Sequence, residues 1–123
     1  MRIWLAAALL SASAGCATPE LAPPATGPES YIPYANRDGI GEWRVAGDDG
    51  LYIRALTGGW YLVRTMGLCT GLKSAIGLGF EASFGGKLDR YSTIIAEGQR
   101  CPIQSVTRWE GDPPRRRSPA ARR

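Results

Sequence analysis

The chain has 123 residues, a formal net charge of +4, three cysteines and no histidine. That length allows one modest core, and the missing histidine removes the commonest general base, the usual catalytic triads and most transition-metal sites. The positive excess does not indicate nucleic acid: from Cys16 to Asp112 nine basic residues stand against eleven acidic ones, and the surplus lies in Arg2 and a terminal run.

The chain opens with one positive charge and the apolar run Ile3 to Leu10, followed by small residues. The run is too short to span a bilayer, which needs about 20 apolar residues. It fits a secretory signal over residues 1–15. Ser13-Ala14-Gly15-Cys16 resembles a bacterial lipobox, with Ser13 where leucine is usual. The resemblance implies a lipid on Cys16 and a membrane anchor. The alternative is ordinary cleavage after Ala14, which leaves a free thiol at Cys16. The lipoprotein reading is preferred because a stray thiol at the start of an exported chain is otherwise unexplained. Ala17, rather than aspartate, follows the cysteine, and that pattern implies an outer-membrane lipoprotein facing the periplasm.

With Cys16 set aside, Cys69 and Cys101 form a natural pair in an oxidising compartment. Closing a loop of that length is expected to stabilise the fold by about 3–4 kcal/mol. Zinc is a poor alternative, since two isolated cysteines and no histidine do not supply four ligands. No metal or other cofactor is expected.

Residues 16–30 carry four prolines and no strand or helix pattern. They read as a tether; at about 3.1 Å per residue it reaches roughly 40 Å. Residues 31–110 then form a single small β domain. Trp43 to Val45, Leu51 to Leu56 and Trp60 to Thr65 alternate apolar and polar, with Asp48-Asp49-Gly50 and Gly58-Gly59 between them. Those are hairpin signals, and they predict a three-stranded meander. Gly71 to Ile76 is either a loop or one short helical turn. Leu78 to Phe84, Leu88 to Ile95 and Cys101 to Trp109 complete five to six strands of a mainly β antiparallel sheet or partly open barrel. Pro102 lacks an amide hydrogen, so the last strand is expected to begin there or to lie at an edge. Gly111 to Arg123 has three prolines and no apolar pattern. It reads as a disordered tail. Its functional reading is contact between Arg115, Arg116, Arg117, Arg122 and Arg123 and an anionic envelope surface, at about 1 kcal/mol per residue near charged lipid. The plainer reading is a solubilising extension.

Gly67-Leu68-Cys69, Leu72, Ala75-Ile76, Gly79-Phe80, Asp89-Arg90 and Gly98-Gln99-Arg100-Cys101-Pro102-Ile103 together resemble the proteobacterial domain-of-unknown-function family 6491. The resemblance spans roughly Asp38 to Trp109. It implies a small exported domain with a cysteine pair and brings no activity or catalytic residues.

Chemistry must therefore be sought in the residues themselves. Asp48-Asp49 is turn chemistry rather than a carboxylate pair, because neighbouring strand residues face opposite ways. Lys73-Ser74 suggests a loop more than a dyad, and the glycine runs lack the lysine and helix of a phosphate loop. Asp89 and Arg90 are better candidates for a polar cluster, joined by Glu42 or Arg64 across the sheet, with a structural ion pair the plainer reading. Trp43, Tyr52, Trp60, Tyr61, Tyr91 and Trp109 could form a stacking face for a sugar polymer or a peptide, but the preferred reading is that they make up most of the core. Trp60, beside the Gly-Gly turn, is the one expected to be partly exposed. The best functional reading is a lipid-anchored, non-catalytic binding or envelope-associated module with an unknown protein or polymer partner. A small hydrolase using Asp89, Arg90 or Glu42 is the rival.

Overall fold

A computed structural model describes residues 18–115. The expected signal segment, Cys16 and the arginines at 116, 117, 122 and 123 lie outside the described residues. Six strands form: β1 Ile40–Gly47, β2 Gly50–Ala55, β3 Trp60–Thr65, β4 Leu78–Glu81, β5 Thr93–Ala96 and β6 Gln99–Trp109. They make one antiparallel sheet in the order β1-β2-β3-β6-β5-β4, curled into an open half-barrel. The fold is mainly β, and the described residues contain no helix. Residues 70–74 form turns, with the Leu72 amide bonded to the Cys69 carbonyl at 3.1 Å.

Local chemistry explains each reversal. Asp48-Asp49 joins β1 to β2, with Gly47 paired to Gly50. Gly58 and Gly59, both at positive φ, close the turn from β2 to β3. Glu97 (φ 51°) and Gly98 (φ 77°) join β5 to β6. Two successive positive φ values give the turn whose twist matches a right-handed hairpin.

The longest strand departs from expectation. β6 is not an edge strand; it is the strand on which the two halves of the sheet join. Ile103 to Trp109 pair with β3, whereas Gln99 to Pro102 pair with β5. Pro102 lies at the changeover, next to a register shift between Arg64 and Thr65 of β3. A residue without an amide hydrogen is tolerated where a strand changes partners, because no continuous ladder on either side requires it. The expected strands at 78–84 and 88–95 are also shorter. Asp89 to Ser92 form a turn closed by the Ser92 amide on the Asp89 carbonyl at 3.0 Å, and Phe84 lies beyond β4, fully exposed.

Period-two alternation divides the side chains between the two faces of the sheet. One face carries the larger core, with Leu51, Ile53, Val63, Ile94, Ile103 and Val106 buried beneath Ile32, Leu72 and Leu88. The other carries a smaller cluster of Ala22, Ala46, Tyr52 and Leu62, flanked by Trp60 and Trp109. Tyr52 meets Trp109 edge-to-face at 4.9 Å between centroids, and burial pushes its phenol above the ordinary tyrosine pKa.

The proline-rich segment covers that second face instead of standing clear of it. The Glu20 amide donates to Asp48 Oδ2 at 2.9 Å and the Asp48 amide returns a bond to the Glu20 carbonyl at 2.7 Å. The Ala22 amide donates to Asp49 Oδ1 at 2.6 Å, and Ala22 is buried. A Cβ on Gly47 would lie 2.4 Å from the Ala22 nitrogen, so only glycine permits this approach. Further on, Thr26 Oγ1 donates to the Arg108 carbonyl, Glu29 bridges to Thr107, and Ile32 pairs with Leu88. Prolines reduce the number of amides to satisfy, and those of Glu20, Ala22, Thr26, Ser30 and Ile32 find acceptors on the rest of the domain. The far terminus is tied down in the same way: Arg44 Nη1 donates to Asp112 Oδ1 at 3.0 Å and to the Pro113 carbonyl at 2.6 Å. The ordered domain thus extends on both sides of 31–110, with Pro113 buried and Arg115 exposed.

Cys69 and Cys101 are bonded, with their Cα atoms 5.9 Å apart. The bond fastens the 66–77 loop to β6. Replacing both cysteines by alanine is expected to lower stability by about 2–5 kcal/mol in denaturant titrations, the usual cost for small disulfide-linked domains. Asp49→Ala removes the acceptor shared by the Ala22 amide and Arg64. It should cost about 1–3 kcal/mol, as a lost buried hydrogen-bond acceptor does. Amide exchange at Ala22 should rise ahead of exchange in β2 and β3. Unchanged protection at Ala22 would show that the segment is held by other contacts.

Candidate functional site

A concavity lies at the end of the sheet that bears the β2–β3 turn. It is an open cleft of about 440 Å³ lined by Ser30, Tyr31, Pro33, Thr57, Gly58, Tyr61 and Arg108. Three parts of the chain converge there. The covering segment brings Ser30 to Pro33, because the Ser30 amide bonds the Val106 carbonyl at 2.7 Å and Ile32 pairs with Leu88. The glycine turn supplies Thr57 and Gly58. Tyr61 of β3 and Arg108 of β6 are direct cross-strand partners, so their side chains emerge side by side.

Arg108 is the only charged residue in the lining. Its guanidinium lies 5.3 Å from the Tyr61 ring centroid, and Nη1 donates to the Tyr61 hydroxyl at 3.3 Å. No carboxylate pairs with it among the described residues, whereas Arg44, Arg64, Lys73 and Arg100 all have acidic partners. Gly59 (φ 85°) contributes by being small: a Cβ there would come within 2.9 Å of Arg108 Nη2. At the rim, Lys87 Nζ sits 4.6 Å from the Tyr31 ring centroid. The cleft thus combines two tyrosine rings, the Ser30 and Thr57 hydroxyls, a guanidinium with free donors and a nearby ammonium. Such a surface suits an anion carried on a hydroxyl-rich body.

The residues singled out from the sequence go elsewhere. Arg64 pairs with Asp49 at 3.3 Å, and Glu42 with Arg44 at 3.1 Å. Asp89 accepts from Ser83 Oγ at 2.7 Å and from the Tyr91 amide at 2.9 Å. Arg90 donates to the Tyr91 hydroxyl at 2.7 Å and stacks on its ring. That hydrogen bond, before any other influence, raises the Arg90 pKa above its ordinary value. No hydrogen bond or ion pair joins Asp89 to Glu42 or Arg64. Each carboxylate serves its own turn or strand, and none converges with another on an open space. Among the described residues no group of histidine, cysteine and acidic side chains could hold a metal.

Trp60 is half-buried, with the Arg44 guanidinium 4.5 Å from its ring centroid. Tyr91, expected in the core, is 74 % exposed because the Asp89 turn carries it outward. Sequence reasoning missed Arg108 and Tyr31 as site residues. Their place depends on the covering segment, which alternation and turn signals do not report. Only the Gly-Gly turn marked this end in advance.

These features define a small disulfide-linked antiparallel β domain with an open, cation-bearing cleft. The chain belongs to the family of unknown function DUF6491, whose family model matches residues 1–123, the whole chain. No curated protein and no solved structure matches it.

Proposed function

We propose that the protein is an exported, lipid-anchored binding module of the cell envelope, and that its cleft takes an anionic saccharide. The observation that carries the reading is Arg108, a guanidinium that lies against Tyr61, has no carboxylate partner among the described residues and lines the cleft with Tyr31, Ser30 and Thr57. The exposed Tyr31 ring offers a face for sugar C–H groups, Tyr61 buttresses the guanidinium from the core, and the guanidinium supplies forked donors to a carboxylate or phosphate. The disulfide supports export, since such bonds persist in oxidising compartments. The small-residue stretch ending at Cys16 supports the anchor. A hydrolase is the weaker reading because Asp89, Arg90 and Glu42 are each engaged in structural bonds. Hydrolysis needs an acid and a base, or a nucleophile, facing one space.

Two measurements test the two halves of the proposal. Calorimetric titration of the full chain carrying Cys16→Ser with oligogalacturonate should show binding, and neutral oligosaccharides of the same length should bind more weakly. Arg108→Ala should weaken the anionic ligand about 10–100-fold, the worth of a charge-assisted hydrogen bond. Equal affinity for charged and neutral sugars would refute the anionic site. For the anchor, Cys16→Ser should release the protein from membranes or leave it unprocessed. Unchanged processing and unchanged membrane attachment would refute lipidation.

A further inference from the structure

The end of the sheet opposite the cleft carries the β1–β2 turn, the 66–77 loop and the β5–β6 turn. β2 and β3 are each six residues long, so about 20 Å separates the two ends. Four large apolar side chains are exposed at this far end: Leu21 at 61 %, Met66 at 61 %, Leu68 at 47 % and Ile76 at 99 %. Leu21 sits between the two residues whose amides bond Asp48 and Asp49. Met66 follows Thr65, whose amide bonds the Asp49 carbonyl, and Leu68 precedes Cys69, whose amide bonds the Asp48 carbonyl. Ile76 closes the same loop just before β4, whose first residue pairs with Ala96 at the β5–β6 turn. Away from this end Tyr31, Tyr34, Leu56, Phe84 and Tyr91 are exposed as well, with Lys87 and Arg90 over the rings of Tyr31 and Tyr91.

The path of the chain says what meets this face. Glu20 is held on Asp48 by two hydrogen bonds, and the four residues back to Cys16 span at most about 14 Å from Glu20. The proline-rich segment has been used as a cover for the sheet and leaves no long spacer. A lipid on Cys16 would therefore bring the bilayer to this end of the domain. The charges nearest the turn are already neutralised in pairs: Lys73 with Asp48 at 2.9 Å, and Arg64 with Asp49 at 3.3 Å. Glu97, exposed in the β5–β6 turn, remains in headgroup water and keeps the contact shallow.

We infer that this end is a membrane-seating surface, on which Leu21, Met66, Leu68 and Ile76 enter the phospholipid interface beside the lipidated Cys16 while the cleft faces away. The inference rests on the lipid-anchor reading and replaces a long stand-off with direct contact. Its test uses the full chain with its leader, made in cells that process lipoproteins, with a diazirine amino acid placed at Ile76 or, for comparison, at Phe84. Both positions are almost fully exposed, so neither replacement disturbs the core. Mass spectrometry of the amino-terminal peptide reports lipid on Cys16 independently of the crosslinks. The expected result is lipid on Cys16 in both proteins, with phospholipid crosslinks several-fold more abundant from position 76 than from position 84. Lipid on Cys16 with equal crosslinking, or with none from position 76, overturns the seating and leaves the anchor standing. Absence of lipid on Cys16 overturns both.

Discussion

The Asp48-Asp49 turn is the constraint on which the rest of the molecule depends. Its two residues use side chains and backbone together to hold three separate parts of the chain. The side chains accept the amides of Glu20 and Ala22 and pair with Lys73 and Arg64. The carbonyls accept the amides of Cys69 and Thr65. Buried acceptors must find donors, and here the donors come from the covering segment, β3 and the disulfide loop. A turn that joins two strands has become the point at which the covering segment and the disulfide loop are positioned against the sheet.

β6 organises the other half. It pairs with β3 along one part of its length and with β5 along the other, so the sheet bends where the partner changes. Pro102 and the register shift beside it are the local signs of that bend. Cys101 precedes the changeover, and its bond to Cys69 holds the loop that follows β3 against the part of β6 paired with β5. The curl leaves a concave face, filled by the larger core, and an outer face that would be wet without the covering segment.

The cleft follows from these two arrangements. β3 and β6 place Tyr61 beside Arg108, and the covering segment, fixed at its start on Asp48 and later on Val106, brings Ser30 and Tyr31 across from them. The domain is slightly acidic from Cys16 to Asp112, yet the cleft lining carries a single charge, and it is positive. Local placement rather than net charge gives the site its character.

Much of the sheet was legible in the amino-acid sequence alone. Alternation in Leu51 to Leu56 and Trp60 to Thr65, with Asp-Asp-Gly and Gly-Gly between, specifies two hairpins because strand period and turn chemistry are local properties. The pairing of Cys69 with Cys101 followed from counting, once Cys16 had been set aside as the candidate lipid site. What only the tertiary structure decided depends on contacts distant in sequence. A proline-rich segment has the same composition whether it stands free or lies on a sheet, and Ala22 on Asp49 settles which. Pro102 in a strand reads as an edge signal until β6 is seen to change partners there. Charged residues can be grouped from sequence in many ways, and the fold pairs Arg64 with Asp49 and Glu42 with Arg44, leaving Asp89 to its own turn. Arg108 became a candidate site residue because the fold gave it a tyrosine partner and, among the described residues, no carboxylate, a matter of distance in space that no local pattern encodes.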